Sequence, residues 1–135
     1  MSRMRVRRVL CVTAAAAGLF SLMGCAPKQE PTEIKSVTFE RNVPIPTQLS
    51  LLKTEEGGRT GPIGDNYRPQ IRFAHDGVEA TCAVMLGNSA VALEPGHSTD
   101  ATLACDAIVR ADSRSNTFTM LEGGKPVGSG TIAIP

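Results

Sequence analysis

From about Ser36 onward the chain alternates apolar and polar residues in short runs. After Pro46, QLSLLK puts Leu49 and Leu51 on one face, and QIRFA pairs Ile71 with Phe73. VEATCAVML carries Val78, Ala80, Cys82, Val84 and Leu86 on one side, with Glu79 and Thr81 opposite. ATLACDAIV repeats the pattern with Ala101, Leu103, Cys105, Ala107 and Val109, and TFTMLE and PVGSGTIAIP complete the set. A period of two sends successive side chains to opposite faces of a strand, so these runs predict half-buried β-strands. Gly, Pro, Asn and Asp separate them, which points to an all-β barrel or sandwich. No amphipathic helix and no internal repeat is legible after the first 25 residues.

Those first residues follow a different pattern. Arg3, Arg5, Arg7 and Arg8 precede an uncharged run from Val9 to Met23. At about 15 residues the run is shorter than the roughly 20 apolar residues that span a bilayer. The layout is that of a secretory signal. It closes on Leu22-Met23-Gly24-Cys25, which resembles the lipobox of bacterial lipoproteins. That resemblance implies removal of residues 1–24, with diacylglycerol and an acyl chain attached at Cys25. An ordinary secretory cut beside an incidental cysteine is the plainer alternative.

Removal of residues 1–24 from 135 leaves 111, enough for one small domain. Four arginines leave with the signal, so 14 − 4 = 10 basic residues face 13 acidic ones, a net charge of −3 with neutral histidines. A slightly acidic domain is poorly suited to nonspecific nucleic-acid binding, which needs clustered Lys and Arg. Residues 25–35, with Pro27 and Pro31 among polar neighbours, have the composition of a flexible, extended tether, and residues 36–135 form the predicted domain. The expected location is the cell envelope, facing away from the cytoplasm and held to the membrane by lipid. Ala26 stands where an Asp commonly retains a lipoprotein in the inner membrane, which favours the outer membrane in a Gram-negative cell.

Candidate chemistry is sparse. His75 and His97, the only histidines, fall on predicted loops, and Cys82 and Cys105 on apolar strand faces. No four ligands converge for tetrahedral metal binding. Ser129 in VGSGT sits in a strand context rather than on a strand–turn–helix elbow. Neither catalysis nor a cofactor is expected. Cys82 and Cys105 have two open readings: a disulfide that the envelope permits, or two buried thiols acting as small apolar groups. A bridge closing a loop of about 24 residues would stabilise the fold by about 3 kcal/mol.

The segment TEEGGRTGPIGDNYRPQIRF, residues 54–73, carries the strongest signal. As a phosphate loop it fails, because Gly57-Gly58-Arg59 is followed neither by Lys-Ser/Thr nor by a helix. It resembles the C-terminal β-barrel, domain three, of elongation factor Tu. Glu55, Glu56, Gly57, Gly58 and Arg59 match that family's loop; Asn66, Tyr67, Arg68, Pro69, Gln70 and Phe73 match the strand after it. LEPGHSTDATLACDAI and FTMLEGGKPVGSGTI follow in the family's order, with Glu122, Gly123, Gly124, Val127, Gly128 and Gly130 on the expected positions. The resemblance implies a small closed antiparallel barrel of about six strands. Matched glycines and prolines also have barrel-only explanations: a hairpin turn at Gly123-Gly124, close packing at Gly128 and Gly130, a sheet edge at Pro69.

In the family the GTPase is a separate domain, and nothing in this sequence supplies one, so no nucleotide is expected. The family's contacts to the T stem of aminoacyl-tRNA map onto Arg59, Gln70, Glu122 and Gly123. Its histidine after the arginine is Thr60, however, and its lysine before the last hairpin is replaced by Ile108 or a neighbour. With an exported, acidic domain, a residual RNA-contacting role is the weakest reading. The expected function is a lipid-anchored protein-binding module, with mimicry of the factor toward an unnamed protein partner as one form of it. A purely structural envelope lipoprotein is the alternative. The candidate binding residues are Arg59, Tyr67, Gln70, Glu122 and Gly123, with Arg59 foremost because its planar fork pairs with carboxylates and stacks on aromatics.

Overall fold

A computed structural model describes residues 30–135; the expected signal segment, the candidate lipidation site Cys25 and the start of the expected tether lie outside the described residues. The strands are β1 (Ser36–Phe39), β2 (Ile45–Leu51), β3 (Gln70–Phe73), β4 (Glu79–Met85), β5 (Ser98–Cys105), β6 (Val109–Asp112), β7 (Thr117–Glu122) and β8 (Lys125–Ile132). Six of them close a barrel in the order β2-β5-β4-β3-β7-β8, every pairing antiparallel, and β1 pairs with β6 in a separate two-stranded sheet. The only helical piece among the described residues is one 3₁₀ turn, Thr54–Glu56.

The period-two residues fill the interior. Leu49, Ile71, Val84, Leu103 and Met120 have no exposed surface, while Gln48, Arg72 and Glu79 on the same strands face solvent. Phe73 and Phe118 meet in the core with ring centroids 6.2 Å apart. Gly130 lies opposite both Leu49 and Phe118, and a Cβ there would run into the Phe118 ring and the Gln48 carbonyl. The missing side chain is what lets the Phe118 ring lie against the strand. Gly123 and Gly124 both take positive φ, 58° and 80°, as a two-residue hairpin of matching twist requires.

Two expectations change. The run Ala101–Val109 is not one strand: β5 stops at Cys105 and β6 begins at Val109. Asp106 makes the break, its N–H donating to the Thr81 carbonyl while its carboxylate accepts from the Thr81 N–H. Pro69 does not mark a sheet edge, because the barrel is closed; it precedes β3 and its carbonyl accepts the Cys82 N–H at 3.2 Å.

β4 and β5 pair with Cys82 directly opposite Cys105. The Cys82 N–H bonds toward Pro69 and the Cys105 carbonyl toward Asn42, away from each other. At such non-hydrogen-bonded pairs the side chains approach most closely. Their sulfurs are joined, 2.04 Å apart and fully buried.

Strand directions define two ends of the barrel. β2, β4 and β7 run toward one end and β3, β5 and β8 run from it, which gathers residues 52–69, 86–97 and the 122–125 hairpin there. The other end carries β1, β6, the 74–78 turn and residues 133–135.

Candidate functional site

The loop end is built from residue 52 outward. Leu51 and Leu52 donate N–H groups to the His97 and Val127 carbonyls, each at 3.0 Å, which ties the loop's start to its two neighbours. The 3₁₀ turn follows, and Gly57, at φ 89°, ends it. Gly58 then folds back so closely that a Cβ would press on the Leu52 and Lys53 backbone. Only glycine allows that approach. The reversal delivers Arg59 to the barrel wall, where its carbonyl accepts the Thr54 hydroxyl at 2.6 Å.

Arg59 is held on several sides. Its Nη1 pairs with the Glu122 carboxylate and donates to the Tyr67 hydroxyl at 3.1 Å, and its Nε donates to the Gly61 carbonyl at 3.3 Å. The guanidinium carbon sits 4.9 Å from the Tyr67 ring centroid, within cation–π range. Burial works to lower the Arg59 pKa, but the Glu122 bond and the Tyr67 and Glu122 fields outweigh it and raise the value. Burial raises the Tyr67 pKa, with Arg59 opposing and Glu122 reinforcing it. At neutral pH Arg59 is therefore a cation and Tyr67 a neutral phenol.

The rest of the loop is fastened in turn. Ile63 and Leu93 exchange backbone bonds of 3.0 and 2.8 Å and both are buried. Asp65 accepts the Leu86 and Gly87 N–H groups at 2.5 and 3.3 Å. Asn66 donates to the Val84 carbonyl and Tyr67 accepts the Val84 N–H, both at 2.8 Å. Loops carry their own polar backbone, which must find partners. Here much of it is satisfied by the barrel wall and the 86–97 loop.

The sequence-predicted residues come together at this end. Gln70, exposed at the start of β3, pairs with Leu121, the neighbour of Glu122, and Gly123 sits at the exposed hairpin tip. Arg59 is braced within the chain: its side chain is 22 % exposed against 44 % for Glu122, and its Nε and Nη1 are engaged. Two residues escaped the sequence reading. Val91 is 98 % exposed two positions before Leu93, and the Lys125 side chain reaches over Gly57. The signal for Val91 is an apolar residue inside the turn-like stretch GNSAVALEPG.

Elsewhere His75 Nδ1 lies 3.3 Å from the Asp112 carboxylate at the far end, and His97 uses its backbone in the loop. No group of three metal-ligating side chains gathers among the described residues. No helix among them is long and apolar enough to cross a membrane.

Fold and loop end together define a small closed antiparallel barrel domain with its connections braced at one mouth. The chain belongs to the elongation factor Tu C-terminal domain family, whose model matches residues 39–134. That family is a barrel domain without catalytic machinery of its own.

Proposed function

We propose that this chain is an exported, lipid-anchored domain of the cell envelope that recognises a protein through its loop end. One observation carries the reading: the 52–69 loop, the 86–97 loop and the 122–125 hairpin are locked into one continuous surface by backbone bonds and the Arg59–Glu122 pair. A pre-ordered surface loses little conformational freedom on binding. Binding residues concentrate on loops held by a rigid scaffold. On that surface Arg59 is the brace, and Gln70, Glu122, Gly123 and Val91 are the groups turned outward. An isolated exposed valine is ordinary on any protein; on a braced loop among polar neighbours it serves as an apolar anchor.

Anchoring rests on the lipobox-like Leu22–Cys25 segment. The thiol is the acyl acceptor, so Cys25→Ser abolishes palmitate labelling and moves the protein to the precursor or soluble fraction. Mimicry of elongation factor Tu is the specific form of recognition that family membership suggests. The test is crosslinking and affinity capture from intact envelopes, comparing the native chain with Val91→Asp and Gln70→Ala. A partner lost with these exposed changes supports recognition. Identical captures from all three sink it and favour a structural lipoprotein, a reading that the internally braced Arg59 also fits.

A further inference from the structure

The end of the barrel opposite the loops carries an apolar groove of about 240 Å³, lined by Val37, Phe39, Pro46, Ala133, Ile134 and Pro135. Val37, Phe39 and Ile134 pack only partly against the core. Beside it in sequence stand Ile34 and Val43, 45 % and 42 % exposed, two of four large apolar side chains so open to solvent among the described residues. The tether joins the domain at this same end, because Ser36 opens β1.

We infer that this face is a membrane seat: the groove and its exposed flank rest on the lipid surface and hold the loop end away from it. The inference depends on lipid attachment at Cys25. Ten residues, 26–35, separate Cys25 from β1. Fully extended they reach about 35 Å, so the tethered end is kept within that distance of the bilayer. The seven-residue β2 sets the loop end a further distance of about 20 Å along the strand. A tether turns docking into an intramolecular event at high effective concentration, so a small patch suffices. A lipid chain paired with a second, weak membrane signal anchors more firmly than the chain alone. Basic Lys35, Arg41, Arg110 and Arg114 are interspersed at this end with acidic Glu33, Glu40, Asp76, Asp106 and Asp112. Apolar contact rather than net charge therefore holds the seat, and salt should leave it intact.

The test uses the full acylated chain in vesicles of phosphatidylethanolamine and phosphatidylglycerol containing a nitroxide-labelled lipid. A fluorophore is placed through Val43→Cys at the tether end or Glu55→Cys at the loop end. With Cys25 acylated and Cys82 joined to Cys105, the introduced thiol is the reactive one. The expected result is severalfold stronger quenching at position 43 than at 55, unchanged by salt and reduced when Ile34→Asp is added. Mass spectrometry of the N-terminal peptide separates the two ways of failing. Without acyl mass, the anchor reading falls and the seat falls with it. With acyl mass but equal quenching at the two positions, only the seat is overturned. Protection of position 43 in detergent, together with a dimer mass, would assign the groove to a second copy and also overturn it.

Discussion

At the loop end, residues 52–69 leave the barrel and return with their backbone bonded to the 86–97 loop and to β4. At the tether end, β3 and β4 are joined by a turn of five residues, 74–78, and β1 and β6 form a small sheet beside an apolar groove. One end satisfies a long connection with polar ties and exposes Met85 and Val91 outside that groove; the other keeps connections short and sets its exposed apolar residues beside it. The contrast follows from solvation. A long loop brings many backbone N–H and C=O groups that need partners, whereas a short turn brings few and lets apolar side chains set the surface. The first arrangement gives a shaped polar surface suited to recognition. The second leaves a face that benefits from an apolar cover.

The largest predicted effect breaks the tether-end half. Cys82→Ala with Cys105→Ala removes the β4–β5 bridge without leaving a free thiol. The expected loss is about 3 kcal/mol in denaturant unfolding, from the loop closed across a sequence separation of 23. The native protein should show no titratable thiol among these two when unfolded without reductant. Two such thiols there would decide for the buried-thiol reading.

Next, Gly58→Ala acts on the loop end alone. The new Cβ presses on the Leu52 and Lys53 backbone, which cannot rotate aside as a side chain would. The expected cost is about 2 kcal/mol, the scale of overpacking. Amide exchange should speed up in residues 52–69 while the β1–β6 sheet stays protected. Equal loosening of both ends would show that they do not act as separate parts.

Arg59→Ala comes third. The Glu122 pair is partly exposed and screened by solvent, so the loss is about 1 kcal/mol. For a domain of this size that lowers Tm by about 4–8 °C. If Arg59 braces the loop, partner capture weakens together with loop protection, and Arg59→Lys restores little because an ammonium cannot reproduce the fork. Weakened capture with full loop protection would instead make Arg59 a direct contact.

The core of this asymmetry was legible in the sequence, but its bracing was not. Alternation placed Leu49, Ile71, Val84 and Leu103 correctly because half-buried strands write their faces in period two. The matched blocks also led to the right barrel. β1 was missed because four residues, two of them partly exposed apolar ones, give too short a pattern, and their partner β6 lies some 70 residues away. The Ile63–Leu93 and Tyr67–Val84 bridges are single contacts without periodicity. Arg59 was recognised as special by residue type. That it points inward to Tyr67 and Glu122 depends on where β7 ends, which no local pattern records.

The smallest effect concerns pH at the tether end. The Asp112 carboxylate accepts N–H bonds from Arg114 and Ser115, both at 2.8 Å, and faces His75 at 3.3 Å. The Arg114 backbone bond chiefly lowers its pKa below the usual 3.8, overcoming slight burial, with Ser115 and His75 adding to it. A carboxylate with a depressed pKa in the folded state stabilises that state above its unfolded pKa. The contribution is lost as pH falls through the folded value. The window therefore lies below about pH 4, and stability from this group is flat between pH 5 and 8. Asp112→Asn should lower Tm slightly at neutral pH and by less at pH 3, with the β1–β6 sheet the region that loosens. A Tm difference that grows rather than shrinks as pH falls below 4 would overturn the assignment to the Asp112 carboxylate.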